Sequence, residues 1–249
     1  MFDNTPARGF KGGHKPPFFI TLKNEKMKPY PILNLYCCLG GNRALWDEVG
    51  EVQVTAVELD PELAKLYKER FPLDIVIVAD AHNYMLEHYK EFNEGLIWSS
   101  PPCPSHSRAA FGSRKSNKAA HKAVFPDLKL YEEIIFLKHY FDGKYVVENV
   151  IPYYEPLIPA KKRGRHLYWT NFNLPNSLNE RKSVSMESKG EVSQWCEFHN
   201  YDFTKYKGTQ RTDKIARNLV DYEAGKTILQ TAFGIKQSNL NNQLDIFSP

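Results

Sequence analysis

Long apolar runs are missing from this sequence. Nowhere in its 249 residues do roughly 18 apolar residues follow one another, the length a helix needs to span a bilayer. A charged start leading into an apolar stretch is missing too, so the expectation is a soluble, cytoplasmic protein with no membrane partner. Cysteines are few: Cys37, Cys38, Cys103 and Cys196. Two are adjacent and none forms Cys-x-x-Cys, which argues against a disulfide framework and suits a reducing compartment where a thiol stays free. His-x-Glu occurs nowhere, and a zinc deaminase requires it. Pro102-Cys103-x-x-His106 is therefore not read as a deaminase motif. Cys196-x-x-His199 offers half of a structural zinc site and no identifiable remainder, so no metal is expected. Finally, residues 104–126 contain no acidic residue.

What is present fits one large domain, or one domain with a small insertion. Apolar residues make up 42% and the net charge is +4, a mild value unevenly distributed. The chain is organised around residues 96–107, Leu-Ile-Trp-Ser-Ser-Pro-Pro-Cys-Pro-Ser-His-Ser. An apolar run broken by prolines predicts a buried strand entering a loop. The prolines fix φ and withhold donors, so Cys103 stands on a stiff turn at the strand's carboxyl end, where a nucleophile would be placed. A lone Pro-Cys would read first as a buried structural cysteine beside a proline-rich turn.

Upstream, residues 31–37 form a buried-strand pattern followed by Gly40-Gly41, and glycines between a strand and a helix let a ligand approach the backbone. A second β-rich run, residues 52–59, ends in Glu58, after which Asp60-Pro61-Glu62 opens a helix. An acid in that position, about twenty residues beyond the glycines, is placed to bind ribose hydroxyls. A third run, 74–79, ends at Asp80. Downstream, residues 128–141 have helical period, and 145–150 (Tyr-Val-Val-Glu-Asn-Val) form an apolar strand carrying Glu148. A carboxylate finishing a buried strand is costly without a partner or a task. Together these pieces predict an α/β fold, a doubly wound, mostly parallel sheet that binds an adenosine-containing cofactor.

The ordered set resembles the DNA cytosine-5 methyltransferase family. Ser100-Pro101-Pro102-Cys103-Pro104 resembles its nucleophile motif, Gly-Pro-Pro-Cys-Gln. Asn34-Leu35-Tyr36-Cys37-Cys38-Leu39-Gly40-Gly41 is similar to its S-adenosylmethionine-binding motif, Asp-Leu-Phe-Ala-Gly-x-Gly-Gly, with Asn34 in place of the Asp and Cys38 in place of the first Gly. Glu148-Asn149-Val150 matches its Glu-Asn-Val, and Lys161-Lys162-Arg163-Gly164-Arg165 resembles Gln-x-Arg-x-Arg. Arg217-Asn218-Leu219-Val220 and the helix after it resemble its last motif, Gly-Asn-x-Val. The penultimate family motif has no convincing copy.

The resemblance implies a Rossmann-like methyltransferase sheet with a small inserted target-recognition region: an arm (1–30), a catalytic core (31–172), the recognition region (173–216), a helix returning to the core (217–236) and a tail (237–249). It implies S-adenosylmethionine as cofactor, giving S-adenosylhomocysteine, held by Tyr36, Cys37, Leu39, Gly40, Gly41, Glu58, Leu59, Asp80, Ala81, Pro101 and Asn218. Tyr36 would lie against the adenine, Glu58 on the ribose and Asp80 on the adenine amine. Catalysis would use Cys103, Glu148 at N3 of a flipped cytosine, Arg165 supporting the base and Glu148, and Arg163 organising the cysteine loop. The basic, Ser- and Gly-rich stretch after Cys103 looks like the family's loop that closes over double-stranded DNA, with Ser107, Arg108, Arg114, Lys115 and Lys118 as contacts. Because a free thiol titrates at about pH 8.5, nearby arginines would favour the thiolate.

Residues 173–212 interleave basic and aromatic side chains, a composition compatible with groove contacts that encodes no readable target. The final Gln243-Leu244-Asp245-Ile246-Phe247 resembles the peptide by which bacterial proteins dock on the replication sliding clamp; an apolar tail packed on its own domain is the other reading. Two alternatives to DNA methylation stay open, an RNA cytosine-5 methyltransferase and a DNA-binding relative without activity.

Overall fold

A computed structural model describes residues 28–116, 124–181 and 192–235, with the side chains of 113–116 outside that description. Most of the arm, Lys118 and the clamp-like peptide fall outside it. Seven strands form one sheet in the order β3-β2-β1-β4-β5-β7-β6. Strands β1 (Tyr30–Leu35), β2 (Val52–Glu58), β3 (Ile75–Val78), β4 (Leu96–Ser99) and β5 (Lys144–Val150) run parallel. The last two, β6 (Lys161–Arg163) and β7 (His166–Thr170), add an antiparallel edge beside β5. This is a mixed α/β, Rossmann-like sheet of the expected class.

The central strands are apolar on both faces because both faces are covered. Alternation along β1 sends Leu33 and Leu35 to one side, where they meet α2 (Ala81–His88) and α4 (Lys129–Tyr140) through Met85, Ile134 and Leu137. Ile32 points the other way, into a cluster with Trp98, Val146, Tyr168 and Ile228 of α7 (Tyr222–Ala232). Helix α1 (Pro61–Arg70) opens as the sequence predicts: the Asp60 carboxylate accepts from the N–H groups of Glu62 and Leu63, and Pro61 occupies the first turn. Such a cap is worth about 0.5–2 kcal/mol.

The glycine pair does not lead into a helix. Between β1 and β2 the chain makes turns and a single 3-10 turn, Trp46–Glu48. Gly40 sits at φ +67, and a Cβ there would come within 2.4 Å of the Phe71 ring. The face a crossover helix would cover is taken by α7, whose Gly225 carbonyl accepts from the Trp46 indole at 3.3 Å. The chain after Cys103 differs from a plain loop as well, since residues 108–116 form α3 (Arg108–Ser116). Within the basic run, Lys161–Arg163 is itself a strand.

In the 173–216 stretch the described aromatics serve the core. Trp195 from α5 (Val192–His199), Phe203 and Tyr206 pack with Ile215 and Ala216 of α6 (Thr212–Asn218) against Leu39 and the α1 residues Leu63 and Leu66. Burial of each large ring contributes about 1.5–3 kcal/mol, which explains the aromatic spacing without any groove contact. His199 lies among the rings of Trp195, Phe198, Phe203 and Tyr222, where burial brings its imidazole down to about 4 and keeps it neutral. The Cys196 sulfur accepts from the Phe203 N–H.

Candidate active site

In a doubly wound sheet the crevice lies beyond the carboxyl ends of the strands, where the strand order reverses. Here that point falls between β1 and β4, whose neighbours diverge to β2 on one side and β5 on the other. A cleft of about 580 Å³ opens there, within the range of small-molecule sites. Tyr36, Cys37, Gly41, Glu58, Leu59, Asp80, Ala81 and Pro101 line it from the strand ends, and Asn218 lines it from α6. Cys103 and Glu148 line the same cleft. Leu39 and Gly40 stand behind it: Leu39 is wholly buried against α1 and α6, and Gly40 makes room for Tyr67 and Phe71.

On the β1–β3 side the polar groups are braced. Both Glu58 oxygens accept backbone N–H groups, from Cys38 at 2.8 Å and Asp60 at 3.0 Å, while burial raises its carboxyl above the usual range. A carboxylate has about four lone-pair sites, so acceptor capacity is left for ligand hydroxyls. Asp80 caps α2 through the Asn83 N–H. Tyr36 adopts φ 55, and its hydroxyl donates to Glu133 Oε1 at 2.6 Å. Glu133 is fully buried and also accepts from Ser99 Oγ at 2.5 Å and meets His82 Nδ1 at 3.1 Å. One mid-helix carboxylate of α4 thus ties together the ends of β1 and β4 and the start of α2. Asn34, fully buried, exchanges amide hydrogen bonds with Asn42, so the neutral residue has a partner of its own kind.

Sequence reasoning missed Glu133 because an acid inside an amphipathic helix reads as a solvated residue. Its signal is that it falls in step with Leu130, Ile134 and Leu137, which face the sheet.

On the other side, Pro101-Pro102 stop β4 and the cysteine loop is pinned to β5. Asn149 donates to the Pro101 carbonyl at 3.0 Å. Tyr153 N–H donates to the His106 carbonyl, and Ser107 forms a bridge with Pro152. Arg108 Nε donates to the Pro152 carbonyl at 2.8 Å, so Ser107 and Arg108 are joined to the fold beside the cleft. The side chains of Arg114 and Lys115, like Lys118, lie outside the described residues.

The two expected arginines are elsewhere. Arg163 donates to the carbonyls of Lys162, Leu174 and Pro175 and does not organise the cysteine loop; Asn149 does. Arg165 is exposed, and the group that reaches Glu148 is His166, its Nε2 3.4 Å from Oε1. The cause is local. Gly164 at φ +50 turns the chain between β6 and β7, so Arg163 and Arg165 do not share one strand face. The β5–β7 register pairs Val150 with His166 and Glu148 with Tyr168, which leaves Glu148 and His166 diagonal on one face.

Cys103 is partly buried and its thiol is pushed up, first by burial and then by the Glu148 charge, with Lys214 pulling in the opposite direction. The arginine activation expected from the sequence is thus replaced by a protonated resting thiol. His106, one turn on, is 1% exposed; burial lowers its imidazole, and Nδ1 meets the Tyr154 hydroxyl at 2.5 Å. Among the described residues no group of His, Cys, Asp and Glu could hold a metal ion, and no helix is long and apolar enough to cross a membrane.

Comparison with known proteins gives three findings. No curated protein matches the chain. Among solved structures, a DNMT2 mutant from Spodoptera frugiperda aligns at 23% identity with a TM-score of 0.35, over 49% of this chain and 35% of that one. This chain therefore spans about a third of the length of that relative. The methyltransferase EhMeth from Entamoeba histolytica aligns at 11% identity and a TM-score of 0.40, over 89% of this chain and 90% of that one. Residues 30–150, the segment from β1 to the end of β5 that carries Cys103 and Glu148, match the family of C-5 cytosine-specific DNA methylases.

Proposed function

We propose that this protein methylates C5 of cytosine in double-stranded DNA, with Cys103 as nucleophile and S-adenosylmethionine as methyl donor. One observation carries the reading: Cys103, in the loop after β4, and Glu148, on the neighbouring parallel strand β5, open into the same cleft as Tyr36, Glu58 and Asp80. A nucleophile and an acid are thereby set against an adenosine-shaped set of groups. The cleft fits the cofactor, since an aromatic ring, a ribose-facing carboxylate and a second acid line it together. When bound, S-adenosylmethionine supplies an electrophilic methyl group.

C5 of cytosine is a weak nucleophile, and the chain's own residues raise its reactivity. The Cys103 thiolate adds to C6, forming an S–C bond, while Glu148 donates a hydrogen bond or a proton to N3; the pair of electrons displaced from the 5,6 double bond makes C5 enamine-like. After C5 has accepted the methyl group, loss of its proton restores the double bond and expels the thiolate. His166, 3.4 Å from Glu148, is placed to hold or exchange the Glu148 proton. The target base must leave the duplex, at a cost of a few kcal/mol, which phosphate contacts from the basic segment after Cys103 would offset in part.

Transfer of labelled methyl groups to duplex DNA and to structured RNA, side by side, tests the proposal. Label at cytosine C5 of DNA, lost in Cys103→Ala, is the expected result. Label confined to RNA would overturn the DNA assignment while leaving the chemistry, and cofactor binding without transfer to either would favour a non-catalytic relative.

A further inference from the structure

We infer that Lys214, on α6, supplies a positive charge that favours the thiolate form of Cys103; it is a positioning residue for the cytosine chemistry proposed above, and the inference rests on that reading. The surroundings of Cys103 pose the problem. The thiol is half-removed from water and faces the Glu148 carboxylate, and both conditions oppose a thiolate. A nearby positive charge would offset part of that cost. The two arginines expected to do so are held outside the cleft, on backbone carbonyls or in solvent.

The other cations along the cleft are engaged. Lys129 lies 3.8 Å from Asp80. Arg217 is bound to both the carbonyl and the carboxylate of Asp213. His166 sits on Glu148, and His106 is neutral against Tyr154. The acids Glu58 and Asp60 lie at the cofactor end, Glu58 on backbone N–H groups and Asp60 on the Tyr206 hydroxyl.

Lys214 differs from all of these. It lines the cleft, and the adjacent acid, Asp213, is taken by Arg211 and Arg217, which leaves Lys214 without an ion pair among the described residues. Its placement follows from helix geometry. Residues 214, 217 and 218 are spaced i, i+3 and i+4 and fall on one face, the face that lines the cleft. Ala216 packs into the cluster with α1, and so does Ile215, which also borders the cleft. That packing fixes the helix, and so keeps an uncommitted ammonium group on the cleft that also holds the nucleophile. Its field favours the thiolate, opposite in sign to that of Glu148. The 217–220 segment returning to the cofactor thus brings with it the charge that the substrate chemistry requires.

The test is the pH profile of Cys103 carboxamidomethylation by iodoacetamide, followed on the Cys103 peptide by mass spectrometry so that the other three cysteines do not contribute. It needs neither DNA nor cofactor. In Lys214→Gln the midpoint should rise by about one pH unit and the rate near neutrality should fall about tenfold, with Lys214→Arg returning both towards wild type. Methyl transfer should fall in kcat with KM nearly unchanged. Lys214 is exposed, so the variants should melt as the wild type does. A Lys214→Gln profile superimposable on wild type overturns the inference, even if the enzyme methylates DNA. A shifted profile sustains the role of Lys214 on the thiol even if neither DNA nor RNA is methylated, in which case the functional reading fails instead.

Discussion

The two sides of the cleft are built on opposite economies of hydrogen bonding. On the β1–β3 side almost every polar group that faces the opening is also held by the fold: Glu58 by two N–H groups, Asp80 by the α2 cap, Tyr36 by Glu133. On the β4–β5 side the reactive groups are left loose. Cys103 keeps a raised thiol, Glu148 has a histidine at 3.4 Å, and Lys214 has no counter-ion among the described residues. The difference teaches which groups are scaffolding and which are poised. A side chain committed to the backbone can bind a rigid cofactor at little reorganisation cost, whereas one that must gain and lose a proton has to stay uncommitted until substrate arrives.

This contrast can be broken by substitution. The largest effect falls on the substrate side. Cys103→Ala should abolish methyl transfer, and Glu148→Gln should lower kcat by on the order of 10²–10⁴, both with thermal stability and cofactor affinity close to wild type in a melting scan and a binding titration. A Glu148→Gln protein that unfolds readily would place Glu148 with the scaffolding. On the cofactor side the pattern should reverse. Glu133→Gln turns one acceptor oxygen into a donor facing Tyr36, Ser99 or His82, and denaturant unfolding should show a loss of about 1–3 kcal/mol with weaker cofactor binding. Gly41→Ala should cost a similar amount, about 1–3 kcal/mol, because its Cβ would stand 2.4 Å from the Val220 carbonyl oxygen. Retained stability there would mean that the α6–α7 link shifts freely.

The smallest effect is a pH dependence. Glu133 raises the His82 imidazole above its ordinary value of 6.5. A group raised in the folded state contributes stability that is fully present below its unfolded pKa and is lost as pH rises through the folded one. Melting temperature should therefore decline through the range above about 6.5, and His82→Asn should flatten that part of the curve.

The sequence made some of this legible and hid the rest for physical reasons. Strand ends were readable: Glu58, Asp80, Cys103 and Glu148 each close an apolar run, and in a doubly wound sheet those ends meet in one crevice. The helix cap at Asp60 was readable too, since a cap is a local signal. Groups that act across long separations were not. Glu133 looks like any helix-borne acid until its face is known, and Lys214 sits in a polar stretch more than a hundred residues beyond the cysteine whose cleft it shares. Arg163 and Arg165 misled because an Arg-x-Arg pair suggests one strand face, and a glycine in the left-handed region broke that register. Tyr206 and Trp195 suggested a nucleic-acid surface because composition cannot tell a stacking ring from a buried one.

The measurement that bears most directly on the central claim is trapping on duplex DNA carrying 5-fluorocytosine, with S-adenosylmethionine present. Fluorine at C5 cannot leave as a proton does, so the bond between Cys103 and C6 persists after methylation. The account predicts a denaturation-resistant protein–DNA adduct that maps to the Cys103 peptide and is missing in Cys103→Ala. Methylation of ordinary cytosine with no adduct at Cys103 would contradict it.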